Sequence, residues 1–395
     1  MSDPILDQIV ADWDKIEGLV PTMPEPPIIS NKRPLQGYPS AMYVAGGVGT
    51  IQQLQQFSLT GQSARLREQM LIDKFVLKNV AILGQWTTIY GAPNSGKTLL
   101  TNWLLREALL SDEIDGESVY YVNADDNYRG LVDKIELAEN WGMHTIAPHH
   151  NGFDIAQIAS LMSEMGHEGT ARGTVFILDT LKKFTDLMDK RAASEFGKVA
   201  RGFVSAGGTL IALAHTNKHP DAEGKGIYSG TSDIVDDSDC CFVIDKVSTL
   251  EQNGLTTHTV EFNNIKARGD VASTVGFTFV RKYGQSYEAL LETVKRLDGD
   301  DLDDVKGKAT VQSELEQDAT IIEAICTVIA EGMISKSKIV QGAHELCGKS
   351  TAAVRKVLDK RTGPIFELGH RWDKRKEAHN RHVYEILPTH KNLNN

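Results

Sequence analysis

Disulfide and zinc chemistry are the first possibilities the sequence removes. Its four cysteines, Cys240, Cys241, Cys326 and Cys347, show no C-x-x-C spacing and have no paired histidines nearby, so they read as reduced, mostly buried thiols. No stretch supplies the roughly 20 apolar residues that a membrane span needs. The opening residues, Met1 to Ile5, carry neither a basic start nor an apolar run, which predicts a soluble, cytoplasmic protein with no membrane partner. Internal repeats and low-complexity tracts are also missing. So is a cationic surplus: the net charge of -11 argues against charge-driven coating of nucleic acid by the whole chain, because phosphate contacts need Lys and Arg. The basic residues are instead concentrated, with 13 Lys and Arg against 6 Asp and Glu from Lys336 to Asn395.

What is present suits a globular protein with more than one core. The 395 residues exceed the usual span of a single hydrophobic core, and 41% hydrophobic side chains can fill a buried sheet. Residues 1–40 form an N-terminal arm: Ile5 to Val20 has apolar residues at helical spacing, and Pro21 to Pro39 is too proline-rich for a helix or central strand. Residues 41–297 form the main domain, where short β-rich runs alternate with helical stretches, as in parallel strands joined by crossover helices. The strands expected are Thr87–Tyr90, Val119–Val122, Thr174–Leu178, Thr209–Leu213 and Cys241–Ile244, with Thr257–Phe262 and Val275–Arg281 as an antiparallel extension. An acidic linker, 298–317, separates this domain from a module at 318–388, and 389–395 is a tail. In that module three helical stretches, Ala319–Ile329, Ser337–Leu346 and Ser350–Lys360, precede two β-like runs, Ile365–Leu368 and His382–Ile386. This order predicts a winged helix-turn-helix.

The strongest chemical signal is Gly91-Ala92-Pro93-Asn94-Ser95-Gly96-Lys97-Thr98. It has the spacing G-x-x-x-x-G-K-[ST] and lies between an apolar strand and the helical run Leu99 to Leu110, the context of a phosphate-binding loop. Glycines let backbone N–H groups wrap a phosphate, Lys97 neutralises the outer phosphates, and Thr98 is a magnesium ligand. ATP and Mg2+ are therefore the expected ligands. Asp179 ends the apolar run Phe176-Ile177-Leu178 one strand and one helix later, where an unpaired carboxylate would be costly; it is the expected magnesium-side acid. Asp125, with Asp126 as the alternative, ends the intervening strand and is a candidate for orienting the attacking water; two helix-capping acids would look similar. His215 follows the next strand, where it could sense the terminal phosphate or be a capped surface histidine. A polar loop behind it offers Lys218, Lys225 and Tyr228 to a ligand. Lys266 and Arg268 could stabilise the terminal phosphate of a neighbouring subunit's nucleotide, or form a solvated basic turn.

These motifs, in this order, resemble RepA-type hexameric plasmid helicases and the wider RecA/DnaB-like ATPases. Ala124-Asp125-Asp126 resembles the family's Ala-Glu-Asp segment, Leu178-Asp179-Thr180-Leu181-Lys182-Lys183-Phe184 its Leu-Asp-Thr-Leu-Arg-Arg-Phe, Ala214-His215-Thr216-Asn217-Lys218 its His-His-x-x-Lys, and Lys266-Ala267-Arg268 its Lys-x-Arg. The likeness runs from about Phe75 to Leu297. It implies a RecA-like α/β core with a mainly parallel sheet, a homo-oligomeric ring with ATP between subunits, Lys266 and Arg268 acting in trans, and the loop from Thr216 to Ser229 facing single-stranded DNA. The chain departs from the family at two positions: Asp125 is one methylene shorter than the family's Glu, and one histidine stands where the family has two.

In the C-terminal module, Lys349 precedes a helix bearing Arg355 and Lys356, the arrangement of a recognition helix for double-stranded DNA. Arg371, Lys374 and Arg375 flank Trp372 in a basic, aromatic wing suited to phosphate or minor-groove contact. The sequence thus predicts an ATP-hydrolysing DNA motor, a replicative helicase of a plasmid, phage or mobile element. A RecA-like filament-forming ATPase and an ATP-gated DNA-binding regulator are the alternatives.

Overall fold

The computed structural model describes residues 54–64, 67, 74–217, 226–230, 232–376 and 382–388. The expected N-terminal helix and proline-rich arm, together with Lys218 and Lys225, lie outside these residues. The chain divides into two compact units, Met1–Met70 and Leu71–Asn395. In the first, a short helical turn at 54–56 leaves Leu54, Phe57 and Leu59 exposed.

The second unit is an α/β structure built on a nine-stranded sheet. Preceding it in sequence is a small hairpin of β1 (Phe75–Leu77) and β2 (Ala81–Ile82). Six parallel strands follow: β3 (Trp86–Gly91), β4 (Val119–Asn123), β5 (His144–Ile146), β6 (Val175–Asp179), β7 (Thr209–His215) and β8 (Cys240–Gln252). Across the sheet β8 is succeeded by β3, β7, β6, β4 and β5. On the other side of β8, β9 (Leu255–Lys266), β10 (Thr274–Lys282) and β11 (Lys295–Leu297) add in antiparallel succession. β3 and β6 are buried at every position, as continuous apolar runs must be when helices cover both faces of a parallel sheet.

One face packs α1 (Lys97–Leu110) and α2 (Tyr128–Trp141) over Ile89, Tyr121, Ile177 and Phe277. The other packs α3 (Gln157–Glu168) and α4 (Lys190–Ser205) over Tyr90, Phe176 and Leu178. α4 shows why these helices form. Asp189 caps it by accepting the Arg191 and Ala192 N–H groups, and Ala193, Phe196, Ala200, Phe203 and Val204 line one stripe at helical spacing. Two short helices, α5 (Asp233–Asp237) and α6 (Tyr287–Leu291), complete this part.

The expected acidic linker is instead the first half of a 32-residue helix, α7 (Gly299–Ala330). Asp298 caps it through the Asp301 N–H at 2.8 Å, and Asp300 and Asp301 suit the positive end of the helix dipole. Leu302 packs against Gly276, and Lys306 pairs with Glu261 at 2.5 Å, so the stretch is held along the antiparallel edge of the sheet. Its polar sequence reflects a helix mostly in solvent.

α7 continues into the C-terminal module with α8 (Lys336–Cys347), α9 (Thr351–Lys360) and the hairpin of β12 (Trp372–Lys376) and β13 (His382–Ile386). The run Ile365–Leu368, expected as a strand, is a turn of 3-10 helix at Phe366–Leu368 closed by Gly369 at φ +88°; the strand lies at Trp372–Lys376. Trp372 is fully buried among Ile325, Val328, Val354 and Leu358, and its indole N–H donates to the Leu358 carbonyl at 2.9 Å. It is the module's core residue and not the exposed wing aromatic expected from its basic neighbours. Among the described residues no helix is long and apolar enough to cross a membrane.

Candidate functional site

The register of the parallel sheet brings the chemistry-bearing residues to one edge. Gly91 stands opposite His215 and Ile244, and Asp179 opposite Asn123 and Leu213. Gly91, Asn123, Asp179 and His215 are the last residues of their strands, at the carboxyl edge, where open α/β sheets bind ligands.

The glycine-rich loop leaves β3 here and turns into α1. Asn94 and Gly96 take left-handed backbone conformations, φ +61° and +90°, and a Cβ on Gly91 would fall 2.6 Å from the Ser95 hydroxyl. Both glycines are thus required by the tightness of the loop. No side chain caps α1, so its first N–H groups, with their partial positive charge, remain open to an anion. Ser95 Oγ is buried there without a hydrogen-bond partner.

Lys97 is buried against this loop, donating to the Gly91 and Ala92 carbonyls at 2.8 and 3.0 Å. Burial pushes its pKa down from 10.5 to about 8, a fall that the nearby Asp179 and Asp125 carboxylates oppose. His215 Nδ1 lies 3.5 Å from Lys97 Nζ. Burial first, then the Lys97 and Lys182 charges, hold its pKa below the usual value, leaving it a neutral hydrogen-bonding group at neutral pH. Asp179 is 5% exposed and accepts from Thr98 Oγ1 at 2.7 Å and from the Tyr121 hydroxyl at 2.5 Å. Burial and the Asp179 charge raise the Tyr121 pKa well above its ordinary value, which keeps that proton on the phenol. The peptide between Asp179 and Thr180 is cis.

The two acids after β4 part company. Asp126 is bound by Lys134 and accepts from Asn123 Nδ2 at 2.7 Å. Asp125 is exposed, with no side-chain partner among the described residues, and borders a cavity of about 320 Å³ with Lys97, Thr98, Asp179 and His215. Such a volume suits a small ligand. Among the lining residues that the sequence did not single out are Lys134, Arg281 and Tyr287. They arrive through α2, β10 and α6, whose positions follow from sheet pairing and helix docking between residues far apart in the chain. The nearest local signal was the alternation that ends β10 in a cation.

The residues present fit a phosphorylated ligand with a divalent cation. The uncapped helix start, the orphaned Ser95 hydroxyl and the buried Lys97 ammonium match an anion; a hydroxyl and a carboxylate in contact match a hard cation that takes its remaining oxygens from substrate and water. No cluster of three or more His, Cys, Asp or Glu among the described residues forms a complete metal cage.

Lys266 and Arg268 are not at this cavity. Lys266 stands opposite Cys241, whose partner on β3 is Thr88, toward the other edge of the sheet from Gly91. Its ammonium donates to the Val235 carbonyl at 2.8 Å and to that of Asp236. Arg268 lies 3.6 Å from Asp239, a carboxylate already held bidentately by Arg201 at 2.7 and 2.6 Å. Tyr228 packs its ring on Tyr90 with centroids 5.8 Å apart, so it serves the hydrophobic layer and does not project as a free contact.

In the C-terminal module Lys349, Arg355, Lys356 and Lys374 are exposed, and no described residue pairs with their side-chain charges. Arg371 instead stacks on Phe366 at 4.1 Å and donates to the Phe366 and His370 carbonyls, and Arg375 pairs with Glu385. Compared with known proteins, the sequence matches no family model and no curated protein.

Proposed function

We propose that the chain is an ATP-hydrolysing, oligomeric DNA motor with a RecA-like phosphate-loop core and an appended winged helix-turn-helix, acting as a replicative helicase of a plasmid, phage or mobile element in the cytoplasm. The observation that carries this reading is the convergence of Lys97, the Thr98–Asp179 pair, Asp125 and His215 on one cavity at the carboxyl edge of the sheet. Gly91 to Gly96 supply the backbone cradle for the phosphates, and Lys97 their countercharge. Thr98 and Asp179 would hold Mg2+, which supplies neutralisation of charge on the outer phosphates. Asp125, whose carboxylate has no partner among the described residues, orients the attacking water and accepts its proton. His215, neutral and beside Lys97, reports the state of the terminal phosphate to the loop behind it.

Lys266 and Arg268 stand away from their own chain's cavity, which favours a role in trans within a homo-oligomer, a hexameric ring, where they stabilise charge in the neighbour's site. Single-stranded DNA is then the partner of the core loops carrying Lys218 and Lys225, and double-stranded DNA that of Lys349, Arg355, Lys356 and Lys374. One observation favours a second reading: Asp125 is one methylene shorter than the Glu of the family it resembles, which suits an ATP-gated DNA-binding switch with slow turnover.

The test is the ATPase rate with and without single-stranded DNA, for wild type and Lys97→Ala, with displacement of a labelled strand followed in the same samples. Stimulated hydrolysis with displacement, both lost by about a hundredfold or more in Lys97→Ala, is the expected outcome. Hydrolysis without displacement turns the reading to a filament-forming ATPase, and nucleotide binding without hydrolysis turns it to the switch.

A further inference from the structure

The end of β10 carries a cation that none of the motifs accounts for. Phe279, two residues before it, is buried against the loop: a Cβ on Gly96 would lie 3.1 Å from the Phe279 ring. Side chains two apart on a strand share a face and are separated by roughly 6.6 Å. β10 runs in the same direction as β3, since β9 lies antiparallel to both β8 and β10. Arg281 therefore follows Phe279 on the face that bears α1, one step beyond Gly96 toward the carboxyl edge. It lines the same cavity as Lys97. No described residue offers it a salt bridge or hydrogen bond, while its charge reaches the Tyr287 phenol in the cavity wall.

Three features separate Arg281 from an ordinary solvated arginine. Its strand is fixed by β9, which pairs with Arg281 itself, and by β11 further back at Gly276–Thr278. Its base is anchored by a buried aromatic in contact with the loop. Its guanidinium borders a space that already holds the elements of an anion site, yet has no carboxylate of its own. A planar guanidinium in that position is suited to bidentate contact with phosphate oxygens. Lys97, Asp125, Asp179 and His215 gather where β3, β4, β6 and β7 end, which assigns them the outer phosphates. Arg281 comes from the opposite flank, past β8 and β9.

We propose that Arg281 is a nucleotide-binding residue acting in cis, which grips the inner phosphates of a nucleoside di- or triphosphate held by its own chain's loop. The proposal rests on the nucleotide reading of the cavity and adds to it a contact common to substrate and product. β10 also links two places: its first residue, Thr274, pairs with Asn263, three residues before Lys266, so a single hairpin joins the cis cation to the edge bearing the trans cations.

Equilibrium binding of ADP and of a non-hydrolysed ATP analogue, each with Mg2+, to full-length wild type, Arg281→Ala, Arg281→Lys and Lys97→Ala tests this. Arg281→Ala should weaken both ligands by the same factor, about tenfold, equivalent to about 1.4 kcal/mol. Arg281→Lys should recover part of the loss, and the melting temperature should be unchanged because no internal partner is removed. Unchanged affinities in Arg281→Ala, or loss confined to the ATP analogue, overturn the role given to Arg281 while leaving the site intact. Failure of wild type to bind either nucleotide, with Lys97→Ala no different, overturns the nucleotide reading and the proposal with it.

Discussion

The carboxyl edge of the sheet and the C-terminal module both concentrate charge, and they treat it in opposite ways. At the sheet edge the charges converge on open space: Lys97 has carbonyls and the His215 ring beside it but no ion pair, and neither Asp125 nor Arg281 has a charge partner among the described residues. In the module much of the charge is absorbed internally. Arg361, 2% exposed, donates to Asp318 at 2.7 Å and to Glu314 at 3.4 Å, joining the end of α9 to α7. Lys336 is held by Asp359, and Arg375 by Glu385. A run of basic residues in sequence therefore says little about how much charge faces outward. Among the described residues Lys338, Lys349, Arg355, Lys356, Lys374 and Lys376 are exposed and have no charge partner, and the proposed DNA contact draws on Lys349, Arg355, Lys356 and Lys374 from that subset.

Separating the two acids after β4 would break the comparison most sharply. Asp125→Asn is expected to lower the ATPase rate by about a hundredfold or more, the usual scale of a lost general base, with nucleotide affinity and melting temperature close to wild type. Asp126→Ala should do the reverse. It strands the Lys134 ammonium, only 8% exposed, at a cost of about 1–3 kcal/mol in stability. Rates and thermal melts on the two variants decide the matter, and equal rate losses would place the catalytic acid at neither position alone.

The same division applies in the module. Arg361→Ala leaves Asp318 without its hydrogen-bonded partner at a packed junction, and a loss of about 3 kcal/mol is expected, read by chemical denaturation. Arg355→Ala combined with Lys356→Ala should leave stability within about 0.5 kcal/mol and weaken double-stranded DNA binding roughly tenfold, with a shallower dependence on salt. If the Arg355/Lys356 pair proves neutral for DNA, α9 is not the recognition element.

The sheet edge was legible in sequence because its signals are local. A glycine-rich octapeptide between a strand and a helix, and acids at the ends of apolar runs, fix residue type and position within a few residues of the chain. Tyr121, which donates to Asp179, and Lys134, Arg281 and Tyr287, which line the cavity, were not legible, since each is brought there by β-sheet register or by the docking of α2 and α6. The antiparallel strands β9 and β10 were legible, but not that β10 delivers a cation to the loop. The acidic stretch at 298–317 was misread because a helix exposed on most of its surface shows little apolar periodicity; its supports are a capping aspartate, a glycine that admits Leu302 and a single ion pair to β9. The Trp372 error came from judging an aromatic by its charged neighbours in sequence. Trp372, Lys374 and Lys376 share one face of β12, and burial is lost along the strand, from Trp372 packed among the module's helices to exposed side chains from Lys374 onward.

The depressed pKa of Lys97 gives the comparison its finest test, because a buried unpaired cation should titrate where paired or exposed ones do not. With the folded, ligand-free value near 8, Lys97 is protonated at pH 7 and largely neutral at pH 9. A polyphosphate favours the charged form, so binding raises the pKa, and between the two values the protein takes up a proton as the nucleotide binds. Affinity for ADP is therefore expected to fall severalfold from pH 7 to pH 9, and calorimetry at pH 8.5 in buffers of different ionisation enthalpy should report uptake of about three-quarters of a proton per site. The sign for stability is opposite. A lysine whose folded pKa lies below its unfolded value is protonated more in the unfolded chain between those values, so this group makes the ligand-free fold more stable as pH rises through that window. Lys97→Ala should abolish both the proton uptake and this contribution, whereas Lys356→Ala should leave both in place.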